Sequence, residues 1–130
     1  LERIHTQVRN RRRDWFFKLA NELVSQYAVI CIEDLNLNGM KSLWGRKVSD
    51  LAYGEFIQIL EWVAKKNNCV VIKVDRWLPS SKICHICGTV NTDLTLNECK
   101  WQCTGCGATL DRDANAAMNI KKAGQAMLSA

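Results

Sequence analysis

Residues 82–108 read KICHICGTVNTDLTLNECKWQCTGCGA, and two C-x-x-C pairs decide how this stretch folds. The pairs are Cys84–Cys87 and Cys103–Cys106, with 15 residues between them. Two residues between cysteines allow one tight turn to direct both sulfurs at a single tetrahedral centre, so two turns supply four ligands. A glycine follows each pair and relieves crowding where the backbone turns. The spacing predicts a zinc ribbon whose closed coordination makes the zinc structural rather than catalytic.

The alternatives for these cysteines are disulfides and buried free thiols. Disulfides need an oxidising compartment, and the chain opens polar and basic, without the apolar run of a secretory signal. Buried thiols would not recur at a matched spacing. Cys31 and Cys69 fall within strand patterns and are interpreted as small core residues. Cys99 is a rival zinc ligand at the wrong spacing, and His85 is expected at the surface.

Outward from the ribbon, the chain alternates helical and strand patterns. Residues 1–26 contain no helix breaker and predict one long amphipathic helix. Residues 27–32 and 69–75 form apolar, β-branched runs typical of buried strands. Between them, residues 36–49 are predicted as a loop and the following residues as a helix capped by Ser49 or Asp50 and ended by Asn67 and Asn68. This strand–helix–strand order predicts a parallel crossover.

Both outer helices have predicted inward faces. For the first helix these residues are Leu1, Ile4, Val8, Trp15, Leu19 and Leu23. For the last helix they are Ala114, Ala116, Ala117, Met118 and Ile120. The last helix is predicted to begin around residues 111–113, where one of two aspartates caps it and leaves the other free, and to stop at Gly124.

Composition sets broad limits on function. The chain has 130 residues, 48% of them hydrophobic and 24% charged, as in an ordinary soluble globular domain. Its apolar runs are too short for a membrane span, and a cytoplasmic location without membrane contact is expected. The net charge of +5 is a mild bias toward polyanions. A first residue Leu1 rather than Met favours a fragment or a processed chain.

Carboxylates at the ends of elements form a candidate catalytic site. Glu33 ends a predicted strand, and Asp113 lies in the first turn of the last helix, where its ordinary role would be to oppose the helix dipole. Asp34 and Asp75 also follow strands and are rivals. Clustered carboxylates favour Mg²⁺, which can support phosphodiester hydrolysis. Two carboxylates are few for that chemistry, and a third is expected.

Four arginines within five positions of the first helix form a candidate phosphate-binding surface: Arg9, Arg11, Arg12 and Arg13. Arginine suits phosphate geometry, but a charge run more commonly marks a solvated helix face. Trp44, Trp77 and Trp101 could stack on bases or lie in the core, and Trp101 is expected to pack inside the ribbon.

Three further stretches carry a family resemblance: residues 32–36 (IEDLN), 75–84 (DRWLPSSKIC) and 110–120 (LDRDANAAMNI). Together with the ribbon they resemble the C-terminal part of OrfB/TnpB-type proteins encoded by insertion sequences, which act in transposition and DNA recombination. The resemblance implies an α/β fold, a partial RNase H-like (RuvC-like) domain with the ribbon inserted before its last helix. The implied division is residues 1–81 for the core, 82–108 for the ribbon and 109–130 for the final helix.

The resemblance also implies a function. Members of this family are RNA-guided DNA endonucleases, similar to type V CRISPR effectors, and their partners are DNA and a guide RNA. Glu33 and Asp113 match two of three acids that bind catalytic Mg²⁺, and Arg112 and Asn115 match flanking residues, with Arg112 predicted to contact nucleic acid.

The first catalytic acid of the family lies on an opening strand that has no counterpart here. The chain is therefore expected to be incomplete for catalysis on its own, and its exposed sheet edge predicts self-association. The alternatives are a non-catalytic nucleic-acid-binding module and a zinc-stapled interaction domain without a nucleic-acid role.

Overall fold

The computed structural model describes residues 2–37, 52–95 and 97–130. The chain divides into two units, Leu1–Ile30 with Leu35–Ile72, and Cys31–Asp34 with Lys73–Ala130. The elements are α1 (Glu2–Gln26), β1 (Val29–Glu33), α2 (Tyr53–Lys66), β2 (Val70–Val74), β3 (Lys100–Gln102), β4 (Thr109–Asp111) and α3 (Arg112–Ser129). None of the described helices is long and apolar enough to cross a bilayer. The mixed α/β class expected from the sequence is confirmed.

The core of the first unit lies between α1 and α2. Phe16 and Ala20 of α1 are buried with Ile59, Leu60 and Val63 of α2. Full burial of each large apolar side chain stabilises the fold by roughly 1.5–3 kcal/mol, so this cluster is the main support of the helix pair.

The predicted inward face of α1 is wrong for its N-terminal half. Ile4, Val8 and Trp15 are all more than half exposed. The α2 helix packs against the stripe that contains Phe16 and Ala20. At about 100° per residue, Trp15 projects well away from that stripe, and the periodic pattern alone could not say which of two apolar stripes is covered.

The strands β1 and β2 form a two-stranded sheet. The Val70 N–H donates to the Ala28 carbonyl at 2.9 Å, and the Asp34 N–H donates to the Val74 carbonyl at 3.0 Å. The first bond joins the starts of the two strands, and the second joins their ends. The strands therefore run parallel, and the predicted parallel arrangement is confirmed.

The helix between these strands begins and ends differently. Ser49 and Asp50, predicted to cap it, lie outside the described residues, and Ala52, with a φ of 47°, precedes the helix without a side-chain cap. Its predicted end is confirmed, since Asn67 is the C-cap and its side-chain amide donates to the Val63 carbonyl at 2.8 Å.

The second unit contains the ribbon and α3. β3 and β4 pair antiparallel, with Trp101 opposite Leu110. Trp101 is buried with Leu94, Leu110, Cys84 and Cys103, which confirms that it packs inside the ribbon. β4 follows the second cysteine pair, so the hairpin extends beyond residue 108. The division at residues 81 and 108 stays a prediction.

Helix α3 departs from expectation on its inner face. Its buried residues are Asn115, Asn119 and Gly124, whereas Ala117 and Met118 are exposed. Helical structure continues through Gly124 to Ser129, so the predicted stop is wrong. No proline follows Gly124, and the modest helix cost of a glycine, about 1 kcal/mol, does not end a helix by itself.

Candidate metal centre

Four cysteine side chains converge in the second unit. The Sγ atoms of Cys84, Cys87, Cys103 and Cys106 all lie within 4.8 Å of one another, and no other such group of three or more metal-binding side chains occurs among the described residues. Sγ separations are 3.5 Å for Cys87–Cys103 and 3.8 Å for Cys84–Cys106. A tetrahedral zinc with Zn–S bonds of about 2.3 Å requires sulfurs roughly 3.8 Å apart, so the arrangement fits zinc.

The two cysteine turns are built by the same pair of backbone hydrogen bonds. In the first, the Cys84 N–H donates to the Thr89 carbonyl and the Gly88 N–H donates to the Cys84 carbonyl, both at 2.8 Å. In the second, Cys103 is bonded to Ala108 and Gly107 in the same way, at 2.9 and 2.8 Å. Gly88 and Gly107 have φ values of 79° and 75°, a left-handed conformation that favours glycine. The predicted relief of crowding is wrong as the reason for these glycines, because a Cβ atom at either position would meet no atom within 4 Å; the positive φ is what favours glycine.

Hydrogen bonds also tune the thiols. The Thr89 hydroxyl lies 3.2 Å from Cys87 Sγ. This hydroxyl and the Thr89 backbone N–H stabilise the thiolate and lower the pKa of Cys87 to about 6. A backbone hydrogen bond from Cys106 lowers the pKa of Cys103. The Ala108 N–H lowers the pKa of Cys106, but desolvation and the neighbouring thiols outweigh it and raise that pKa to about 11. Four thiols this close cannot ionise together without a cation, as a zinc site requires.

The two turns approach each other at Gly105. A Cβ atom at this position would lie 2.2 Å from Thr89 Oγ1 and 3.4 Å from Cys87 Sγ. Only a glycine lets the second turn lie against the Thr89 hydroxyl that bonds to Cys87. The sequence did not identify this contact, because the glycine lies inside a C-x-x-C pair and reads as ordinary turn composition.

An asparagine of α3 joins this helix to the first cysteine turn. Asn115 is 1% exposed. Its Oδ1 accepts the His85 backbone N–H at 2.9 Å and lies 2.9 Å from His85 Nδ1. Its Nδ2 donates to the Ile83 carbonyl at 2.7 Å and lies 3.3 Å from the carbonyls of Ser80 and Ser81. Asn115 thus fixes the backbone on both sides of Cys84.

Asn119, one helical turn later, completes what we call the asparagine clasp (Asn115 and Asn119). Its Nδ2 donates to the carbonyls of Ser80 and Ile83 at 2.8 and 2.6 Å. The sequence predicted alanine and methionine on the inner face of α3 and did not predict the clasp. The available signal was two asparagines four residues apart on one helix face.

The carboxylates near the strand and helix ends separate into two groups. Asp34 pairs with Arg76. Asp75 accepts the Trp77 N–H at 3.0 Å. Asp111 caps α3 by accepting the N–H groups of Asp113 and Ala114 at 3.1 and 3.0 Å. Each of these three is occupied by a structural contact.

Glu33 and Asp113 form the other group. Both belong to the second unit. Within the described ranges, the partly buried Glu33 carboxylate has no hydrogen-bond or ion-pair partner. The Asp113 side chain is 86% exposed, and its Oδ1 lies 3.3 Å from Arg112 Nε. The prediction that one aspartate caps the helix and the other stays available is confirmed.

Comparison with known proteins supplies the relationship. The family model described as Cas12f1-like, TNB domain, matches residues 53–120. This chain belongs to the Cas12f1-like TNB domain family. The match covers α2, β2, the ribbon and the first half of α3, so the metal centre and the asparagine clasp lie inside the TNB domain.

Full-length relatives extend the match. A Streptomyces pristinaespiralis protein with the provisional name RNA-guided DNA endonuclease is 40% identical over 95% of this chain and 31% of its own length. A TnpB-like protein of Acanthamoeba polyphaga mimivirus is 34% identical over 95% of this chain and 25% of its own length. The relationship to TnpB-type proteins predicted from the sequence is confirmed, and the chain spans about a third or less of these relatives.

A solved structure supports the fold. The Cas12f1–sgRNA–target DNA complex contains a chain that superposes with a TM-score of 0.69, at 20% identity, over 89% of this chain and 35% of that chain.

The candidate phosphate-binding arginines of this TNB-family chain are divided in role. Arg12 and Arg13 lie 3.6 and 3.8 Å from the carboxylate of Glu55 on α2. Arg9 and Arg11 are exposed, and no ion pair to either occurs in the described part of the chain. At about 100° per residue, Arg11 lies roughly 160° around α1 from Arg9 and Arg13 and about 100° from Arg12. The run is therefore not one continuous surface.

Four other residues singled out in the sequence have different outcomes. Cys99 is exposed and lies outside the four-sulfur group, and Cys69 is buried, where desolvation raises the pKa of its thiol. His85 is not among the four ligands, but it is half-buried against Asn115 rather than free at the surface. Trp44 lies outside the described residues.

Proposed function

We propose that this chain is the C-terminal nuclease portion of a TnpB-type, RNA-guided DNA endonuclease, built on an RNase H-like (RuvC-like) core. The family membership and the names of the full-length relatives support this proposal. DNA and a guide RNA are the proposed partners of the whole protein, and a structural Zn²⁺ and a catalytic Mg²⁺ are its proposed cofactors.

The observation that carries the proposal is the separation of the acids. Asp34, Asp75 and Asp111 each serve a structural contact, with a guanidinium or with backbone N–H groups. Glu33 and Asp113, which match the acids of the family motifs, are available to bind a ligand. A carboxylate that neither caps a helix nor pairs with a residue distant in sequence can turn toward a metal, and the contact of the Asp113 side chain is with the adjacent Arg112.

In this proposal Glu33 and Asp113 hold Mg²⁺ through carboxylate oxygens. When bound, the ion would activate water and stabilise the leaving oxygen in phosphodiester hydrolysis. Arg112, whose Nε lies 3.3 Å from Asp113 Oδ1, would orient that carboxylate for metal binding. Two carboxylates are fewer than the chemistry requires, so a third acid from outside this chain completes the site.

The ribbon and the clasp have a supporting role. Zinc fixes the two cysteine turns, and Asn115 ties the first turn to α3 only two residues after Asp113. Zinc thereby restrains the first turn of the helix that carries a proposed catalytic acid. Arg9, which is exposed, contacts the phosphate backbone, whereas Arg12 and Arg13 serve mainly the Glu55 pair and Arg11 projects from the far side of α1 relative to Arg9.

The test is DNA cleavage with Mg²⁺, for this chain alone and for a chimera in which it replaces the matching segment of the Streptomyces pristinaespiralis relative, with that protein's guide RNA. The active form should be the chimera alone, with cleavage lost in Glu33→Gln and Asp113→Asn. Asp14→Asn is the matched control, because Asp14 is an exposed carboxylate whose ion pair among the described residues is with Lys18 on the same helix. Cleavage that survives both Glu33→Gln and Asp113→Asn refutes the assignment.

A second function, a non-catalytic nucleic-acid-binding module, is favoured by one comparison. A Pelobacter propionicus protein named CRISPR-associated DNA-binding protein Cas12m is 27% identical over 85% of this chain and 18% of its own length. Salt-dependent DNA binding by the chimera, without cleavage in any divalent metal, would favour this alternative.

A further inference from the structure

Trp77 is the most exposed large hydrophobic side chain that the structure describes, at 82%. The other tryptophans of the described residues have contacts. Trp101 is buried, and Trp15 lies 5.6 Å from the Phe16 ring. Trp62 meets the edge of Phe17 at 5.9 Å and has Lys66 Nζ 3.8 Å from its ring centre. Within the described ranges Trp77 has no such ring contact, so most of its indole surface is open to a ligand.

The backbone that carries Trp77 is nevertheless held firmly. The Trp77 N–H donates to Asp75 Oδ1 at 3.0 Å, and the Leu78 N–H donates to the Asp75 carbonyl at 3.1 Å. On one side Arg76 is paired with Asp34. On the other side the asparagine clasp holds the carbonyls of Ser80 and Ile83. An exposed side chain on an ordered turn loses little conformational freedom when it binds a ligand.

The surroundings favour a flat ligand over a protein surface. Protein docking sites present a contiguous apolar patch, often of several hundred Å². Here the neighbours in the turn are Asp75, Arg76 and Pro79, all exposed, and the nearby apolar residues Leu78 and Ile83 instead line a separate groove beside α3. A single open indole beside two charged residues and a proline matches a stacking platform, which needs one π-face and no contiguous apolar patch.

We propose that Trp77 stacks on an unpaired nucleobase of the nucleic-acid strand that this chain binds. The inference rests on the proposed nucleic-acid function and adds a single-strand contact to it. The base must be unpaired, because the faces of duplex bases are already stacked. The contact tolerates any base, since every base has a π-face.

The experiment compares binding of a labelled single-stranded oligothymidylate and a labelled duplex to the zinc-loaded chain at low salt, by fluorescence anisotropy. Trp77→Ala should weaken single-strand binding roughly 5- to 150-fold, the range for losing one stacked base, and leave duplex binding unchanged. Trp77→Phe should restore most of the affinity, because a phenyl ring also stacks. Trp62→Ala is the matched control and should have little effect.

The outcomes separate the two proposals. Equal single-strand affinity for Trp77→Ala and the unsubstituted chain overturns the stacking role while leaving the nucleic-acid function standing. Equal losses for single strand and duplex overturn it in favour of a general structural role, and a change in sedimentation coefficient overturns it in favour of a contact between protein chains. No binding of either probe by the unsubstituted chain overturns the stacking role, whereas the nucleic-acid function is decided separately by cleavage with the chimera. Unchanged zinc content and circular dichroism show that each variant is folded.

Discussion

The substitution Asn115→Ala removes the side chain that joins α3 to the first cysteine turn. It leaves the His85 N–H, now bonded to Asn115 Oδ1 at 2.9 Å, without an acceptor in a nearly closed site. The Ile83 carbonyl also loses its bond to Asn115, but it keeps the hydrogen bond from the Asn119 amide at 2.6 Å and so does not become unpaired. An unpaired buried donor costs about 1–3 kcal/mol, and the removed side chain also leaves a small cavity. Together these effects should lower the free energy of unfolding by roughly 2–4 kcal/mol.

The assay is urea unfolding of the zinc-saturated protein, followed together with hydrogen exchange at the His85 amide. Asn21→Ala is the matched control, because Asn21 is also a helix asparagine, bonded to the Phe17 carbonyl at 2.8 Å, but on an exposed face. Its loss should cost no more than about 0.5 kcal/mol. Asn119→Ala should cost roughly 1–2 kcal/mol, because both of its carbonyl acceptors retain the Asn115 amide.

The clasp also predicts non-additivity. Since the two asparagines share the carbonyls of Ser80 and Ile83, the double variant should lose more than the sum of the single losses. An Asn115→Ala protein as stable as Asn21→Ala, with unchanged exchange at His85, would refute the reasoning.

Four other predictions follow from the same structure. Chelation of zinc should remove exchange protection from residues 82–108 before it affects the α1–α2 core, and retained protection would argue against a structural metal. Gly105→Ala should cost roughly 1–3 kcal/mol in urea unfolding because its Cβ would lie 2.2 Å from a hydroxyl, whereas Gly54→Ala, at 3.2 Å from a flexible side chain, should be nearly neutral. Arg9→Gln should reduce the slope of log affinity for DNA against log salt by about one, whereas Arg11→Gln, on the far side of α1 from Arg9, should change it little; an unchanged slope for Arg9→Gln would remove that residue from the interface. The unpaired edges of the two-stranded sheet should cause concentration-dependent self-association in size-exclusion chromatography, and a monomer at all concentrations would contradict this.

The sequence predicted the parts of the fold that follow from local rules. The matched C-x-x-C pairs specify four converging sulfurs because the spacing itself sets the geometry. The parallel pairing of β1 and β2 followed from two apolar runs with a helix between them. One of Asp111 and Asp113 was expected to cap α3 and leave the other available, because a cap needs only one short side chain; the structure shows that Asp111 is the cap.

The parts that failed depend on which surfaces meet. Periodicity located the helices, but Ile4 and Val8 are exposed because the covered stripe of α1 is a different one. Hydrophobicity placed alanines on the inner face of α3, whereas Asn115 is buried there. A buried amide is favourable only where carbonyls converge to accept its protons, and that convergence comes from the ribbon rather than from the helix sequence.

The exposure of Trp77 could not be predicted from the sequence either. A tryptophan is more often found in the core, and its pattern here could not separate a core residue from a surface one. The deciding contact is the Asp75 turn, which holds the backbone while leaving the indole outside.

The most direct measurement of the central claim is Mn²⁺ binding as a substitute for Mg²⁺, observed by paramagnetic broadening of amide signals in the isotope-labelled, zinc-loaded chain. If Glu33 and Asp113 hold one ion, the signals around both residues should broaden together at low Mn²⁺, and either Glu33→Gln or Asp113→Asn should abolish both effects while Asp14→Asn changes neither. Broadening at only one of the two positions, or a loss confined to the substituted segment, would contradict a shared metal site.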